Sequence, residues 1–166
     1  MEAGPLPPDG DRVPRWPAGV VGSITHTSAF CAAAVAWQAD LRALGLDAEH
    51  AIETAQADLV RLVATPAEAA WFAALSEDQR ARGAALLFSA KEALYKCQFK
   101  LTRERLDFDD VELFVDGVDT VGDSVPHTLH ARFLHGRAAS TPELAHMILR
   151  WAAAGDLVIT SSFVTA

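Results

Sequence analysis

The stretch FSAKEALYK, residues 88–96, is the most informative part of this 166-residue sequence. It holds two of the three lysines in the chain, and the third, Lys100, follows it closely. Lys96 lies four residues after Glu92, so the two side chains share one face of a helix. Lys91 and Lys96 beside a carboxylate suit a phosphate ligand held through a cation. An ordinary surface ion pair explains the spacing about equally well, so this stretch alone leaves both interpretations open.

A pair of acids forms a second element. The segment LGLDAE, residues 44–49, reads as a short apolar strand that ends in Asp47 and Glu49. Residues i and i+2 of a strand point to one face, so the two carboxylates repel each other unless a cation lies between them. Mg²⁺ is the natural guest, because it prefers oxygen ligands. If the helix that carries Glu92 packs on this strand, the three carboxylates form a metal site. Solvent-facing strand ends also carry such acid pairs.

The third element is WPAGVVGSITHT, residues 16–27, an apolar strand bounded by proline and glycine. It ends in Thr25, His26 and Thr27, whose hydroxyls and imidazole can bind a phosphate. A capped strand with a buried, hydrogen-bonded histidine is the more usual meaning of such a pattern.

In one protein family these three elements occur together, in the same order along the chain. Through them the chain resembles the 4′-phosphopantetheinyl transferases of the monomeric, enterobactin-synthetase-activating type. The resemblance implies transfer of the 4′-phosphopantetheine arm of coenzyme A to a serine of an apo acyl, peptidyl or aryl carrier protein. Mg²⁺ would be required, and adenosine 3′,5′-bisphosphate would be released. Activation of the enterobactin synthase complex in siderophore biosynthesis is typical of this type.

The resemblance also implies roles for individual residues. The Mg²⁺ ligands would be Asp47, Glu49 and Glu92. The coenzyme A contacts would be Thr25, His26, Lys91 and Lys96, with the threonine and the histidine near the 3′-phosphate. Glu92, directly or through a metal-bound water, would take the serine proton. Lys96 would contact phosphate and stabilise the leaving group.

Turn and capping signals predict an α+β fold, in which an antiparallel sheet packs against one long helix. Capping boxes at Thr65 and Ser76 mark the starts of two helices. The predicted helices cover 51–63, 66 to about 75, and 77 to about 98. The predicted strands cover 20–25, 29–37, 41–48, 110–115, 128–134, 145–152 and 157–164. Gly155-Asp156 makes the last two strands a hairpin.

Composition narrows the class of protein. A formal net charge of −8 argues against general nucleic-acid binding, and no apolar run is long enough to span a membrane. The first residues lack the basic and apolar regions of a signal peptide. Cys31 and Cys97 are predicted to be reduced core residues rather than a disulfide or a metal pair. Together these features predict a cytoplasmic protein.

The resemblance is incomplete near the N-terminus. Proteins of this type have two pseudo-symmetric α/β halves with coenzyme A between them. Here residues 41–166 resemble the second half, and residues 1–40 resemble a remnant of the first, with two strands and a Pro/Gly-rich arm. The family is monomeric, and a dimer is the alternative that covers a face left open by a shortened first half.

Two other functions stay open on the sequence alone. A truncated, non-catalytic relic that binds carrier protein or coenzyme A is the first, and the short N-terminal half favours it. An unrelated Mg²⁺-dependent phosphohydrolase is the second, because three carboxylates also suit that chemistry.

Overall fold

The computed structural model describes residues 6–11, 13–51, 57–115 and 126–166. In chain order the elements are β1 (Val20–His26), β2 (Cys31–Trp37), β3 (Leu41–His50), α1 (Ala57–Val63), α2 (Pro66–Ala73), α3 (Glu77–Thr102), β4 (Val111–Phe114), β5 (His127–Phe133), α4 (Gly136–Ser140), β6 (Ile148–Ala154) and β7 (Leu157–Thr165). Short 3₁₀ turns cover Phe108–Asp110 and Pro142–His146. The predicted α+β class is confirmed. Of the helices described, none has the length and apolar character needed to cross a membrane.

Five strands form one antiparallel sheet in the order β3-β7-β6-β5-β4. The predicted hairpin joins β6 to β7, and its turn places Gly155 at φ 66°, a backbone conformation that glycine adopts without strain. The predicted strands all appear, with ends that differ by up to three residues. The predicted helix over 51–63 is seen as α1, and residues 52–56 lie outside the described residues.

The two remaining strands, β1 and β2, pair with each other as a separate antiparallel hairpin. Side chains, rather than a backbone ladder, join this hairpin to β3. The hydroxyl of Ser23 accepts a hydrogen bond from the Leu46 N–H at 2.9 Å, and the hydroxyl of Thr25 accepts one from the Ala48 N–H at 3.1 Å. Because β3 is an edge strand, these hydroxyls satisfy donors that would otherwise lack a partner in the sheet.

The long helix α3 forms the centre of the main core. Its apolar face buries Leu86, Leu87 and Leu94 completely between the sheet and the shorter helices. The capping boxes predicted at Thr65 and Ser76 are both present at the starts of α2 and α3. The N-terminal ends of these helices follow from local sequence alone.

The C-terminal end of α3 lies four residues beyond the predicted end. The hydroxyl of Thr102 donates to the Gln98 side-chain oxygen at 2.6 Å, so a side-chain hydrogen bond spans the last helical turn. Arg103 then ends the helix in the left-handed conformation, at φ 57°. A buried side-chain bond and a non-glycine cap replace the glycine that usually marks a helix end.

Small residues allow α3 to approach the sheet closely. The carbonyl oxygen of Ala93 lies where a Cβ on Gly45 would be, so no side chain fits at that position of β3. The hydroxyl of Ser162, on the neighbouring strand, donates to the same carbonyl at 2.7 Å. One turn earlier, the hydroxyls of Ser89 and Thr160 lie 2.8 Å apart. The helix backbone therefore rests directly on β3 and β7.

Gly45→Ala should consequently destabilise the protein. The added methyl overlaps backbone that cannot move without lifting α3, and overpacking of this kind costs about 1–3 kcal/mol. Urea unfolding followed by circular dichroism measures the loss. Gly10→Ala is the matched control, because no heavy atom lies within 4 Å of a Cβ built there. Equal unfolding midpoints for the two variants would contradict the close packing of helix and sheet.

Candidate functional site

Asp47, on β3, is the centre of the site. Its Oδ1 accepts a hydrogen bond from the Lys96 ammonium at 2.6 Å and one from the Thr25 hydroxyl at 3.2 Å. Its Oδ2 is buried and has no hydrogen-bond partner among the described residues. A buried carboxylate oxygen without a partner is costly, so the geometry favours a ligand at this position.

Lys96 comes from α3 and bridges the helix to the edge of β3. Its ammonium donates to Asp47 and, at 3.1 Å, to the carbonyl of Leu46. An ammonium has three donors, so these two contacts leave one for a ligand. The side chain is 28% exposed and therefore reachable from solvent.

Glu92 lies one turn before Lys96 and is half-buried. Burial raises the pKa of Glu92 above its ordinary value, and the negative charge of Asp47 raises it further, while Lys96 opposes both effects. Repulsion between like charges therefore contributes to the shift, but burial is the larger cause.

Lys91 requires a correction, because its ammonium does not face this site. It forms an ion pair with Glu68 at 2.7 Å, and each of the two side chains is 1% exposed. Burial lowers the pKa of Lys91, while the hydrogen bond and the charge of Glu68 raise it. The predicted contact with a coenzyme A phosphate is not compatible with this buried position. We assign Lys91 a structural role instead.

Glu49 is half-buried at the end of β3, two residues beyond Asp47. Within the described ranges, no three His, Cys, Asp or Glu side chains are grouped so that they could hold a metal ion. The predicted three-carboxylate set is therefore not assembled in this structure. The assignment of Glu49 as a metal ligand stays a prediction.

Thr25 and His26 point to opposite faces of β1. Thr25 is buried against β3, where its hydroxyl is engaged by Asp47 and by the Ala48 N–H. His26 is exposed. Adjacent residues of a strand alternate in direction, so the two side chains lie on different faces of β1, and their shared contact with the 3′-phosphate stays a prediction. The geometry makes Thr25 a residue that orients Asp47, a role that the sequence did not reveal.

Two open grooves meet at Tyr95, next to the site. The Glu92 groove, of about 290 Å³, is lined by Glu92, Tyr95, Arg105, Leu106 and Phe108. The Lys96 groove, of about 360 Å³, is lined by Pro14, Ile24, Leu44, Tyr95, Lys96 and Phe99. Both are near the lower end of the range of about 300–1,000 Å³ for small-molecule sites. The site can therefore be reached from two sides.

The N-terminal arm forms one wall of the Lys96 groove. Arg103 joins the arm to the end of α3 through an ion pair with Asp9 at 2.9 Å, and its guanidinium lies 5.6 Å from the centre of the Phe99 ring. Tyr95 stacks on Phe99 with ring centres 5.5 Å apart. These contacts join residues that are distant in the chain, and no local motif indicates them.

The donors present fit a hard divalent cation. Among the residues that the structure describes, the buried Oδ2 of Asp47 has no partner, and the charge of Asp47 raises the pKa of Glu92. A protein usually contributes one or two carboxylates to a Mg²⁺ site. Water and phosphate oxygens complete the coordination. Lys96 adds a cation for a phosphate group. The arrangement therefore suits the binding and transfer of a phosphate ester.

Comparison with known proteins identifies the family. A profile of the 4′-phosphopantetheinyl transferase superfamily matches residues 43–153. A profile of the 4′-phosphopantetheinyl transferase N-terminal domain matches residues 1–36. The predicted division of the chain after residue 40 stays a prediction.

Curated relatives with this family name include three bacterial proteins. Svp of Streptomyces mobaraensis is 40% identical, over 100% of this chain and 65% of the relative. Npt of Nocardia iowensis is 36% identical, over 92% of this chain and 68% of the relative. PptT of Mycobacterium tuberculosis is 33% identical, over 92% of this chain and 66% of the relative. The chain thus spans about two thirds of the length of these relatives.

A solved structure supports the fold. The crystal structure of a holo-ACP-synthase from Plasmodium yoelii superposes with a TM-score of 0.51 and covers 76% of this chain and 95% of that one. The two sequences are 17% identical, so this similarity shows the fold alone.

The raised pKa of Glu92 predicts a pH-dependent change in stability for Glu92→Gln. The folded state holds the Glu92 proton more tightly than the unfolded state, whose pKa is near 4.5. The glutamate therefore destabilises the fold progressively as pH rises from about 4.5 through its raised pKa. The glutamine variant should melt at a higher temperature than wild type at pH 7, and the difference should vanish below pH 4.

Melting curves at several pH values measure this effect. Glu77→Gln, which removes an exposed carboxylate at the start of the same helix, is expected to give no gain at pH 7. A Glu92→Gln variant that is less stable than wild type at pH 7 would contradict the electrostatic description of the site.

Proposed function

This chain belongs to the 4′-phosphopantetheinyl transferase superfamily, and we propose that it transfers the 4′-phosphopantetheine arm of coenzyme A to a serine of an apo carrier protein. The observation that carries the proposal is the 2.6 Å contact between Lys96 and Asp47, one helical turn from Glu92 on the wall of an open groove. All three residues lie inside the segment that matches the superfamily profile.

The proposed reaction is a displacement at phosphorus. The serine oxygen forms a bond to the phosphorus that bears the pantetheine arm. The bond from this phosphorus to the bridging oxygen of the pyrophosphate breaks, and adenosine 3′,5′-bisphosphate leaves with the electron pair. The serine proton passes to Glu92. Such transfers depend mostly on positioning and on neutralisation of charge, which is what the site offers.

Glu92 is the proposed base. Its raised pKa makes it a better proton acceptor than an exposed glutamate. It lines the Glu92 groove, from which a serine side chain can reach it.

Lys96 is the proposed contact for the pyrophosphate. Its two protein contacts fix the ammonium beside Asp47, and its remaining donor is directed to a ligand rather than to the core. An oriented ammonium stabilises negative charge as it develops on the leaving oxygen. The Lys96 groove gives the pyrophosphate its approach, and the exposed His26 keeps its proposed contact with the 3′-phosphate.

Asp47 and Glu92 are the proposed protein ligands of Mg²⁺. When bound, the ion neutralises the pyrophosphate and polarises its phosphorus centres. Asp47 is prepared for this role because Thr25 and Lys96 fix its other oxygen. Glu49 is proposed as a third ligand on the basis of the family resemblance.

The identity of the carrier rests on the family resemblance. We propose acyl, peptidyl or aryl carrier proteins, with the carriers of siderophore synthesis as the first to test. A relic that binds carrier protein or coenzyme A without turnover is the competing function.

The direct test is the intact mass of an apo carrier protein after incubation with this chain, coenzyme A and Mg²⁺. We expect a gain of one phosphopantetheine arm that EDTA abolishes. Release of adenosine 3′,5′-bisphosphate without a gain in carrier mass would favour a hydrolase. Binding of coenzyme A without either product would favour the relic.

Variants of the site sharpen this test. Glu92→Gln should lower the rate about 10²–10⁴-fold, because general-base catalysis is lost. Lys96→Ala should lower it about 10²–10³-fold, in the range seen when one donor to a developing charge is removed. Arg80→Ala, an exposed change on the same helix, is the matched control and should leave the rate unchanged. Wild-type rates for either site variant would refute the assignment.

A further inference from the structure

The buried ion pair of Lys91 ties α3 to three separate parts of the chain. Besides Glu68, the Lys91 ammonium donates to the carbonyl oxygens of Val63 at 2.7 Å, Phe108 at 2.6 Å and Val111 at 3.0 Å. These carbonyls belong to the end of α1, the 3₁₀ turn and the start of β4. One ammonium thus fixes the distance from α3 to all three segments.

Glu68 extends the network in the other direction. Its Oε2 also accepts from the Thr65 N–H at 2.6 Å, and its Oε1 accepts from the Leu113 N–H at 2.7 Å. The carboxylate that caps α2 is therefore also the partner of Lys91 and of β4. Since both oxygens have partners, Lys91 cannot rotate away without leaving a buried charge uncompensated.

The Lys91 contacts lie on the side of α3 that faces away from β3 and β7, where the far edge strand β4 reaches the helix. Successive residues of an α-helix are rotated by about 100°, so Ala93 is about 200° from Lys91. Ala93 rests on Gly45 and Ser162 in the sheet. The helix is therefore held on two nearly opposite sides, and Glu92 projects between them. With both sides held, the direction of Glu92 is determined.

We propose that Lys91 is a positioning residue, which fixes the rotation of α3 and so directs the Glu92 carboxylate towards Asp47. The role of Glu92 in transfer rests on the proposed function, whereas the rotation of α3 does not. An apolar residue at position 91 could fill the same space, but it would allow small rotations. Four acceptors around one ammonium allow a single orientation.

Lys91→Met tests the proposal, with Lys91→Arg as the conservative variant. A misdirected base should lower kcat about 10–100-fold while the KM for coenzyme A stays within about twofold. Mg²⁺ affinity, measured by calorimetry with coenzyme A present, should weaken about tenfold, as when the partner of a metal ligand is lost. Lys91→Arg keeps the charge and several donors, and it should recover most of the kcat.

A control separates positioning from stability. Leu129→Ala removes a core side chain of β5, a strand outside the three segments that Lys91 joins to α3, and serves as the destabilised comparison. Hydrogen exchange of the amides of residues 92–97 should accelerate in Lys91→Met and not in Leu129→Ala. If Lys91→Met does not fold, Glu68→Asp shortens the partner by one methylene and is measured in the same way.

Three results would overturn the proposal. A raised KM for coenzyme A with unchanged kcat would make Lys91 a substrate contact. A loss of activity no larger than that of Leu129→Ala would leave only a contribution to stability. Unchanged hydrogen exchange over residues 92–97 would remove the positional argument. If wild type transfers no phosphopantetheine, the proposed function fails, and the exchange measurement still decides whether Lys91 fixes α3.

Discussion

The direct contact between the backbone of α3 and β3 is the constraint on which the site depends. Where Ala93 meets Gly45, no side chain separates helix from strand. This short distance allows Lys96, less than one turn further along, to reach the carbonyl of Leu46 as well as Asp47. A side chain at position 45 would move the helix outward by about the thickness of a methyl group, and the lysine would lose one or both contacts. A backbone requirement thus determines the position of a charged group.

The electrostatics of the site oppose folding, and neighbouring contacts offset that cost. Within the described part of the chain, Asp47 keeps a buried oxygen without a partner, and Glu92 ionises against both burial and the charge of Asp47. Proteins tolerate such local violations mainly where they bind or react. Nearby, the polar groups are well satisfied, as in the Ser89–Thr160 contact and the Lys91–Glu68 pair. The rigid surroundings hold the Asp47 carboxylate in place beside Lys96.

Features set by short-range rules could be predicted from the sequence. Both capping boxes, the β6–β7 hairpin and the α+β class follow from local signals. The motifs also named Asp47 and Lys96, which are in contact, while the roles assigned to them and to Glu92 stay predictions. The end of α3 could not be predicted, because it depends on a buried bond between Thr102 and Gln98. The wall formed by the N-terminal arm also escaped prediction, since Asp9 and Arg103 are 94 residues apart.

Direction, rather than proximity, is what the motifs failed to reveal. Lys91 and Glu92 are adjacent, yet one serves the core and the other the site, because neighbouring helical residues diverge by about 100°. Thr25 and His26 diverge by even more on a strand. For Lys91 and Glu92, however, adjacency means that contacts which fix one residue also limit the movement of the other. If the helix were fixed at a point several turns away, the residues between that point and Glu92 could bend or fray. Lys91 is bonded to Glu92 through a single peptide unit. Little flexible structure therefore separates the fixed residue, Lys91, from the carboxylate that it positions.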